Sequence, residues 1–278
     1  MKIKRTLLKI LTLYLPLLCA LAFVLVPIYW MIITAFKEEA NVLRRPAQYL
    51  PNPVTLDNII RVWSQSGFSV YFKNTFFVSV ITAAIVVVLS ILSAYALSRY
   101  HFKGKKVFFL ILLITQMFPG AMLVVPLFMI FNKMGLISSL WALIFSYSAI
   151  QVPFNIILMK NFVDGVPFEI EEAGMIDGCG RFGVIMRIVF PLLVPGVVAI
   201  ATFAFMGSWN EFIFPIMFIN KQSRFVLSVG LSYMIGQNTT YFGALAAGSL
   251  IAISVPIILF AFFQKYIVQG LSDGAVKS

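Results

Sequence analysis

Six apolar blocks dominate the chain, at residues 10–33, 76–97, 107–131, 140–159, 190–218 and 244–263. Each is long enough to cross a bilayer, which takes about 20 residues of helix. Hydrocarbon offers no water to satisfy the backbone, so blocks of this length must close their hydrogen bonds within a helix. The expectation is an all-α integral membrane protein with six transmembrane helices. The composition, 61% hydrophobic and 11% charged, lies far from the soluble average of about 25% charged and excludes a soluble enzyme. Residues 225–235 are apolar but too few to span, and suit an interfacial or re-entrant piece.

A net charge of +11 could point to nucleic acid or anionic lipid. Its distribution favours topology instead. With a cytoplasmic N-terminus, the inner segments hold Lys2, Lys4, Arg5, Lys9, Arg99, Lys103, Lys105, Lys106, Lys160, Arg181, Arg187, Lys265 and Lys277, which is 13 of the 21 basic residues. The outer segments hold the other 8. The tight clusters all fall inside, beside the first three spans, as the positive-inside rule asks when both termini are cytoplasmic. The loop between spans four and five is then cytoplasmic as well.

The chain reads as one membrane domain, 1–278, with an outer segment at about 34–73 and a cytoplasmic loop at about 160–190. The outer segment carries Pro46, Pro51, Pro53 and Trp63 and reads as folded rather than low-complexity. Ala20-Leu21-Ala22 could pass for a signal-peptide cleavage site, but the apolar run continues to Ile33, so a retained anchor is expected. Cys19 and Cys179 have no metal spacing and no expected mutual bridge. Prolines interrupt nearly every span, each removing a backbone donor that lipid cannot replace.

The inner loop is the charged exception. Pro167 suits a helix start, and Glu169, Glu171 and Glu172 place negative charge at the positive end of the helix dipole. Asp177-Gly178 should end the helix, since glycine adopts backbone conformations closed to other residues. At 100° per residue, Ile170, Ala173 and Gly174 lie on one side, with Phe168 and Met175 on the other. A helix apolar on two sides with an acidic rim fits a protein cleft better than a lipid surface, which favours one-sided basic helices.

Glu172-Ala173-Gly174, three residues, Gly178, nine residues, then Ile188-Val189-Phe190-Pro191 resembles the Glu-Ala-Ala loop of bacterial ABC-importer permease subunits, with Gly174 in place of the second Ala and Phe190 in place of Leu. Asn74-Thr75, Ala94 through Arg99, Met117-Phe118-Pro119-Gly120, Phe162 through Pro167, Trp209-Asn210-Glu211-Phe212 and Gly270 through Lys277 extend the likeness over nearly the whole chain. They are similar to the carbohydrate branch, specifically the maltose-type second permease subunit. The resemblance implies a bacterial inner-membrane protein that imports a sugar or oligosaccharide. It implies a heterodimer with a second homologous permease, two cytoplasmic ATPase subunits and an extracytoplasmic sugar-binding protein. It also implies that Glu171, Glu172, Ala173, Gly174, Asp177, Gly178 and Pro191 couple the chain to the ATPases.

Glu211 is the one acidic residue inside a predicted span, where an isolated charge costs about 2.5–3.5 kcal/mol or more. Ala201, Ala204, Ser208 and Glu211 share one helical face. Two readings stand: Ser208, Trp209, Asn210 and Glu211 line a translocation path, or Glu211 belongs to a structural hydrogen-bond network. Ala244, Gly248 and Ala252 form a small-residue stripe suited to close helix packing.

No Gly-x4-Gly-Lys-Ser/Thr sequence occurs, so ATP and Mg are expected on the partner ATPase and no cofactor in this chain. No catalytic set or metal site is expected, and His101 reads as solvated. The alternative of another class is a secondary transporter driven by an ion gradient, which needs ionisable groups near the midplane. Glu211 alone is thin support for it.

Overall fold

The computed structural model describes the backbone of residues 10–65, 67–235 and 240–275, with side chains for 12–64, 67–235 and 240–266. The basic residues Lys2, Lys4, Arg5, Lys9 and Lys277 lie outside the described residues, as do Val276 and the side chains of the tail motif beginning at Gly270. No strand forms among the described residues. The helices are α1 (Leu15–Ala35), α2 (Glu39–Val42), α3 (Asp57–Gln65), α4 (Phe68–Arg99), α5 (Lys105–Thr115) and α6 (Val124–Lys133). They continue as α7 (Leu140–Gly165), α8 (Phe168–Ile176), α9 (Arg181–Val184), α10 (Phe190–Trp209), α11 (Ile213–Phe218), α12 (Leu227–Tyr233) and α13 (Phe242–Ala275).

Five stretches are helical, apolar and long enough to cross a membrane: Thr12–Ala35, Phe68–Arg99, Leu140–Gly165, Arg181–Trp209 and Phe242–Tyr266. The remaining predicted block, 107–131, is a bent pair. Lys105–Thr115 and Gly120–Lys133 meet at 97°. The break falls at Pro119-Gly120, where proline lacks the N–H that would continue the ladder. Counted as one crossing, the pair makes six.

Prolines elsewhere leave milder marks. Pro27, Pro153, Pro195 and Pro256 stay inside their helices. Two helices widen into π turns, at Ile10–Tyr14 and Ile185–Val189, each ending two residues before a proline, Pro16 and Pro191. A π turn is the local adjustment a helix makes when one donor is missing. The fourth long helix is thereby continuous from Arg181, well before the predicted start at 190.

The chain divides into two compact units. One comprises the described parts of Met1–Ser69 and Leu231–Ser254. Within it, the described part of residues 34–69, in the segment expected on the outer face, is folded. Lys37 is 1% exposed, donates to the carbonyl of Gln48 and lies 4.8 Å from the Trp30 ring centroid. Asn58 Nδ2 donates to the carbonyls of Ala35 (3.1 Å) and Lys37 (2.6 Å). The Glu39 carboxylate accepts the Gly243 N–H at 3.0 and 3.3 Å and so caps α13. A Cβ on Gly248 would sit 2.8 Å from Leu231 and 3.2 Å from both Phe68 and Val62, so this glycine of the predicted stripe sits in close packing.

The second unit, Val70–Gly230 with Val255–Ser278, holds the features that bear on function. Here α10 packs chiefly on α7. The approach is close at Gly196, where a Cβ would lie 2.5 Å from Cγ of Phe162. A buried cluster of Ala94, Met159, Val163, Val184, Val189, Leu193 and Ile200 joins the ends of α4 and α7 to the α9–α10 helix. The Asn74-Thr75 pair pins the start of the apolar 225–235 stretch to α4. Asn74 Nδ2 donates to the carbonyls of Ser223 (3.1 Å) and Phe225 (2.8 Å), and Thr75 Oγ1 accepts the Leu227 N–H at 2.7 Å. That stretch forms only the short α12 and does not span.

Candidate coupling site

The loop at 160–190 folds as its residues require. Pro167, with φ −59° and ψ 136°, is the N-cap of α8, one position before the expected first turn. Glu169 and Glu171 occupy the first turn. The helix ends at a Gly178 of φ +88°. There the Cys179 N–H reaches the Gly174 carbonyl at 3.0 Å and the Gly178 N–H reaches that of Met175 at 3.1 Å. That pair of bonds is the Schellman closure, which needs a left-handed residue at the position of Gly178.

The faces of α8 differ from the expectation. Glu171 and Gly174 are buried, whereas Glu172, Ala173 and Ile176 are exposed, Ile176 at 85%. Gly174 therefore shares the inward face with Glu171 rather than the outward face with Ala173. A Cβ there would fall 2.3 Å from Cδ1 of Ile188, so the glycine lets α8 lie against the start of the next long helix. Asp177 is exposed, and Pro191 lies in the first turn of α10, also exposed.

Glu171 is 2% exposed, and two side chains meet its charge. Arg99 Nε donates to Oε1 at 2.6 Å. The Tyr95 hydroxyl donates to Oε2 at 2.7 Å. Arg99 Nη2 also donates to the Val166 carbonyl at 2.7 Å, just ahead of α8. Ser98 Oγ accepts from Arg99 Nη1 at 3.3 Å and donates to Asp164 at 2.5 Å, and Asp164 pairs with Lys160. The network runs from α7 through the end of α4 into α8. Tyr95, Arg99, Phe168, Glu171, Met175 and Arg181 wall a cleft of about 170 Å³ beside it. Sequence reasoning does not single out Tyr95, Ser98 or Arg99 as site residues: it reads Arg99 as a topological charge and the Ala94–Arg99 run as part of the family likeness. The available signal is the spacing of Tyr95 and Arg99, one helical turn apart at the end of a span.

The four path candidates separate. Ser208 is buried between helices, accepting from Gln151 Nε2 at 3.0 Å and donating to the Ala204 carbonyl at 2.9 Å. Trp209 is 4% exposed, stacked on Phe205 at 5.4 Å and edge-on to Phe72 at 5.6 Å. Asn210 is exposed and donates to the Met206 carbonyl at 3.0 Å. Glu211 lies not within a span but in a break. The predicted block 190–218 stops at Trp209 and resumes as α11. Glu211 Oε1 accepts the N–H groups of Phe212 (3.1 Å), Ile213 (2.8 Å) and Phe214 (3.4 Å), capping α11. Its carbonyl accepts from Ser228 at 2.7 Å. Among the described residues no group of His, Cys, Asp and Glu could hold a metal ion.

Residues 86–273 match the family model described as "Binding-protein-dependent transport system inner membrane component". The probable ABC transporter permease protein YurM of Bacillus subtilis is 38% identical over 90% of this chain and 83% of its own length. The arabinooligosaccharides transport system permease protein AraQ of Halalkalibacterium halodurans is 32% identical over 92% and 93%. The trehalose/maltose transport system permease protein MalG of Thermococcus litoralis is 33% identical over 99% and 98%. A chain of a bacterial ABC transporter that imports the acidic polysaccharide alginate superposes with a TM-score of 0.80, covering 94% of this chain and 95% of its own, at 22% identity. That likeness shows the fold. With several apolar helices, a family match across two thirds of the length and relatives named as permeases, this multi-pass membrane chain is a transport component rather than an enzyme, and it belongs to the inner-membrane component family of binding-protein-dependent ABC transport systems.

Proposed function

We propose that this chain is one of two permease subunits of an ATP-driven importer of a sugar or oligosaccharide, and that α8 is the element its ATPase partners grip. The observation that carries the reading is the division of α8 into two faces. Its inner face is locked to α4 by the Glu171–Arg99 pair. Its outer face offers Glu169, Glu172, Ala173 and Ile176, acidic and apolar together, to a partner. The sugar class comes from relatives named for arabinooligosaccharides, trehalose/maltose and diacetylchitobiose. Two ATPase copies, carrying ATP and Mg, sit on the cytoplasmic side, a homologous permease completes the pathway, and both termini face the cytoplasm.

A body held by a buried ion pair moves as a unit. Closure of the ATPases on ATP shifts α8, and the shift passes through Arg99 into α4 and through Ile188 and Pro191 into α10. Gly178, Asp177 and Gly174 keep α8 short and close-packed. Substrate delivered by the binding protein enters near Asn210 and Glu211.

The test is a gentle-detergent pull-down of the tagged chain with ATPase activity assayed on the eluate. Co-elution of a second permease and an ATPase, with activity lost in Glu172→Lys, supports the reading. A chain that elutes alone and transports under an imposed proton or sodium gradient refutes it.

A further inference from the structure

Where α10 stops, the chain leaves a hollow of about 310 Å³ lined by Gly120, Tyr147, Gln151, Gly207, Glu211 and Phe214, among others. Gly207 admits the Gln151 amide against α10: a Cβ there would lie 2.8 Å from Gln151 Oε1 and 3.2 Å from its Cδ. Gln151 is oriented by donating its Nε2 to Ser208, so its oxygen, an acceptor, is the group left on the hollow side. Glu211 is oriented in the same manner. Its Oε1 takes three backbone N–H groups, and Oε2 is the oxygen that the cap does not use. The rings of Tyr147 and Phe214, 6.2 Å apart and edge to face at 85°, add apolar wall.

A hollow with fixed acceptors, an aromatic wall and a glycine floor matches a pyranose ring, whose hydroxyls donate and whose C–H face is apolar. Resting on the importer reading above, we infer that this hollow is a sugar-binding subsite on the import route, and that Glu211 restricts it to neutral and amino sugars and rejects uronates. A hydroxyl or ammonium group donates to Oε2. A carboxylate in its place would bring two like charges together in a hollow partly walled by hydrocarbon, where repulsion is weakly screened. The fold does not decide this preference, since a chain of the same fold belongs to an importer of acidic polysaccharide.

The experiment is saturation-transfer NMR on the assembled importer in nanodiscs, with glucose, glucosamine and glucuronate as probes. Wild type should contact glucose and glucosamine, with glucuronate weaker by roughly tenfold or more, the scale of one unfavourable charge pair. Glu211→Gln keeps the capping acceptor and removes the charge, so it should bring glucuronate level with glucose. Gly207→Leu and Gln151→Leu, checked for unchanged thermal midpoint, should each weaken all three signals. A wild type that contacts glucuronate as well as glucose overturns the inference, as does an unchanged glucuronate ratio in Glu211→Gln. Full signals in both Gly207→Leu and Gln151→Leu also overturn it, because the contact then lies elsewhere. ATPase activity on the same samples separates the two readings. Coupled activity without sugar signal removes the subsite and leaves the importer, whereas an absent ATPase removes the importer itself.

Discussion

Arg99 and Glu171, 72 residues apart in sequence, meet at 2.6 Å with side-chain exposures of 11% and 2%. The contact makes the C-terminal end of α4 and the helix α8 one mechanical element. A buried pair of this kind adds little stability over an apolar replacement, but losing one partner strands the other charge.

Arg99→Met alone should therefore destabilise the folded permease by about 3–5 kcal/mol and abolish coupling of ATPase to transport. Arg99→Met with Glu171→Leu should recover much of the stability, because no charge remains buried. Thermal midpoints in detergent for both singles and the double variant check this. Equal losses in single and double variants would show that the pair does not act as a unit.

Glu172 neighbours Glu171 and has the opposite exposure. Glu172→Lys should leave the stability within about 0.5 kcal/mol of wild type, as exposed substitutions do, yet eliminate co-elution of the ATPase. Glu171→Lys should do the reverse first, lowering yield and thermal midpoint. Chromatographic yield and ATPase recovery from parallel preparations compare the two.

Gly178 has φ +88°, and nothing lies within 4 Å of the point a Cβ would occupy, so a substitution there is penalised by backbone conformation alone. Gly178→Ala should cost about 1–2 kcal/mol and Gly178→Asn less, since Asn visits the left-handed region more readily. Coupled transport should follow the same order, Gly over Asn over Ala, in vesicle uptake assays. Identical uptake for all three would mean that the turn does not position α8.

Gly196 presents the opposite case, with ordinary backbone but no room. A Cβ would lie 2.5 Å from Cγ and 3.0 Å from Cβ of Phe162, atoms near the root of the ring. Gly196→Ala should overpack the α7–α10 contact and cost about 1–3 kcal/mol. Gly165→Ala, with nothing within 4 Å at the end of α7, is the control and should be neutral or slightly stabilising. Midpoints that fall equally in both would discard the packing explanation.

Much of the site is legible along the chain. Pro167, the acidic first turn and Asp177-Gly178 bound α8 to within a residue, because caps and turns depend on neighbours in sequence. The 190–218 block reads as one span, and the structure breaks it. Its apolar content is high enough to hide the Asn210-Glu211 interruption, and the donors that make the break stable are the backbone N–H groups of Phe212 to Phe214, invisible in composition. The 107–131 block hides its 97° bend in the same manner, although Pro119-Gly120 marks the place.

Residue order alone dictates a helical chain that crosses a membrane, with a short acidic helix between the fourth and fifth crossings. Block length, helical period, proline and glycine act over a few residues, so a linear reading recovers them. The direction in which that helix faces came from packing in three dimensions. Glu171 turns inward because Arg99 and Tyr95 wait there from a helix 72 and 76 residues away, and Gly174 turns inward because Ile188 leaves space for no side chain. Ser208 and Trp209 are withdrawn from the surface by Gln151, Phe205 and Phe72 on the same principle. A buried polar or bulky group takes the orientation in which its partners are found, and those partners are assembled by the fold.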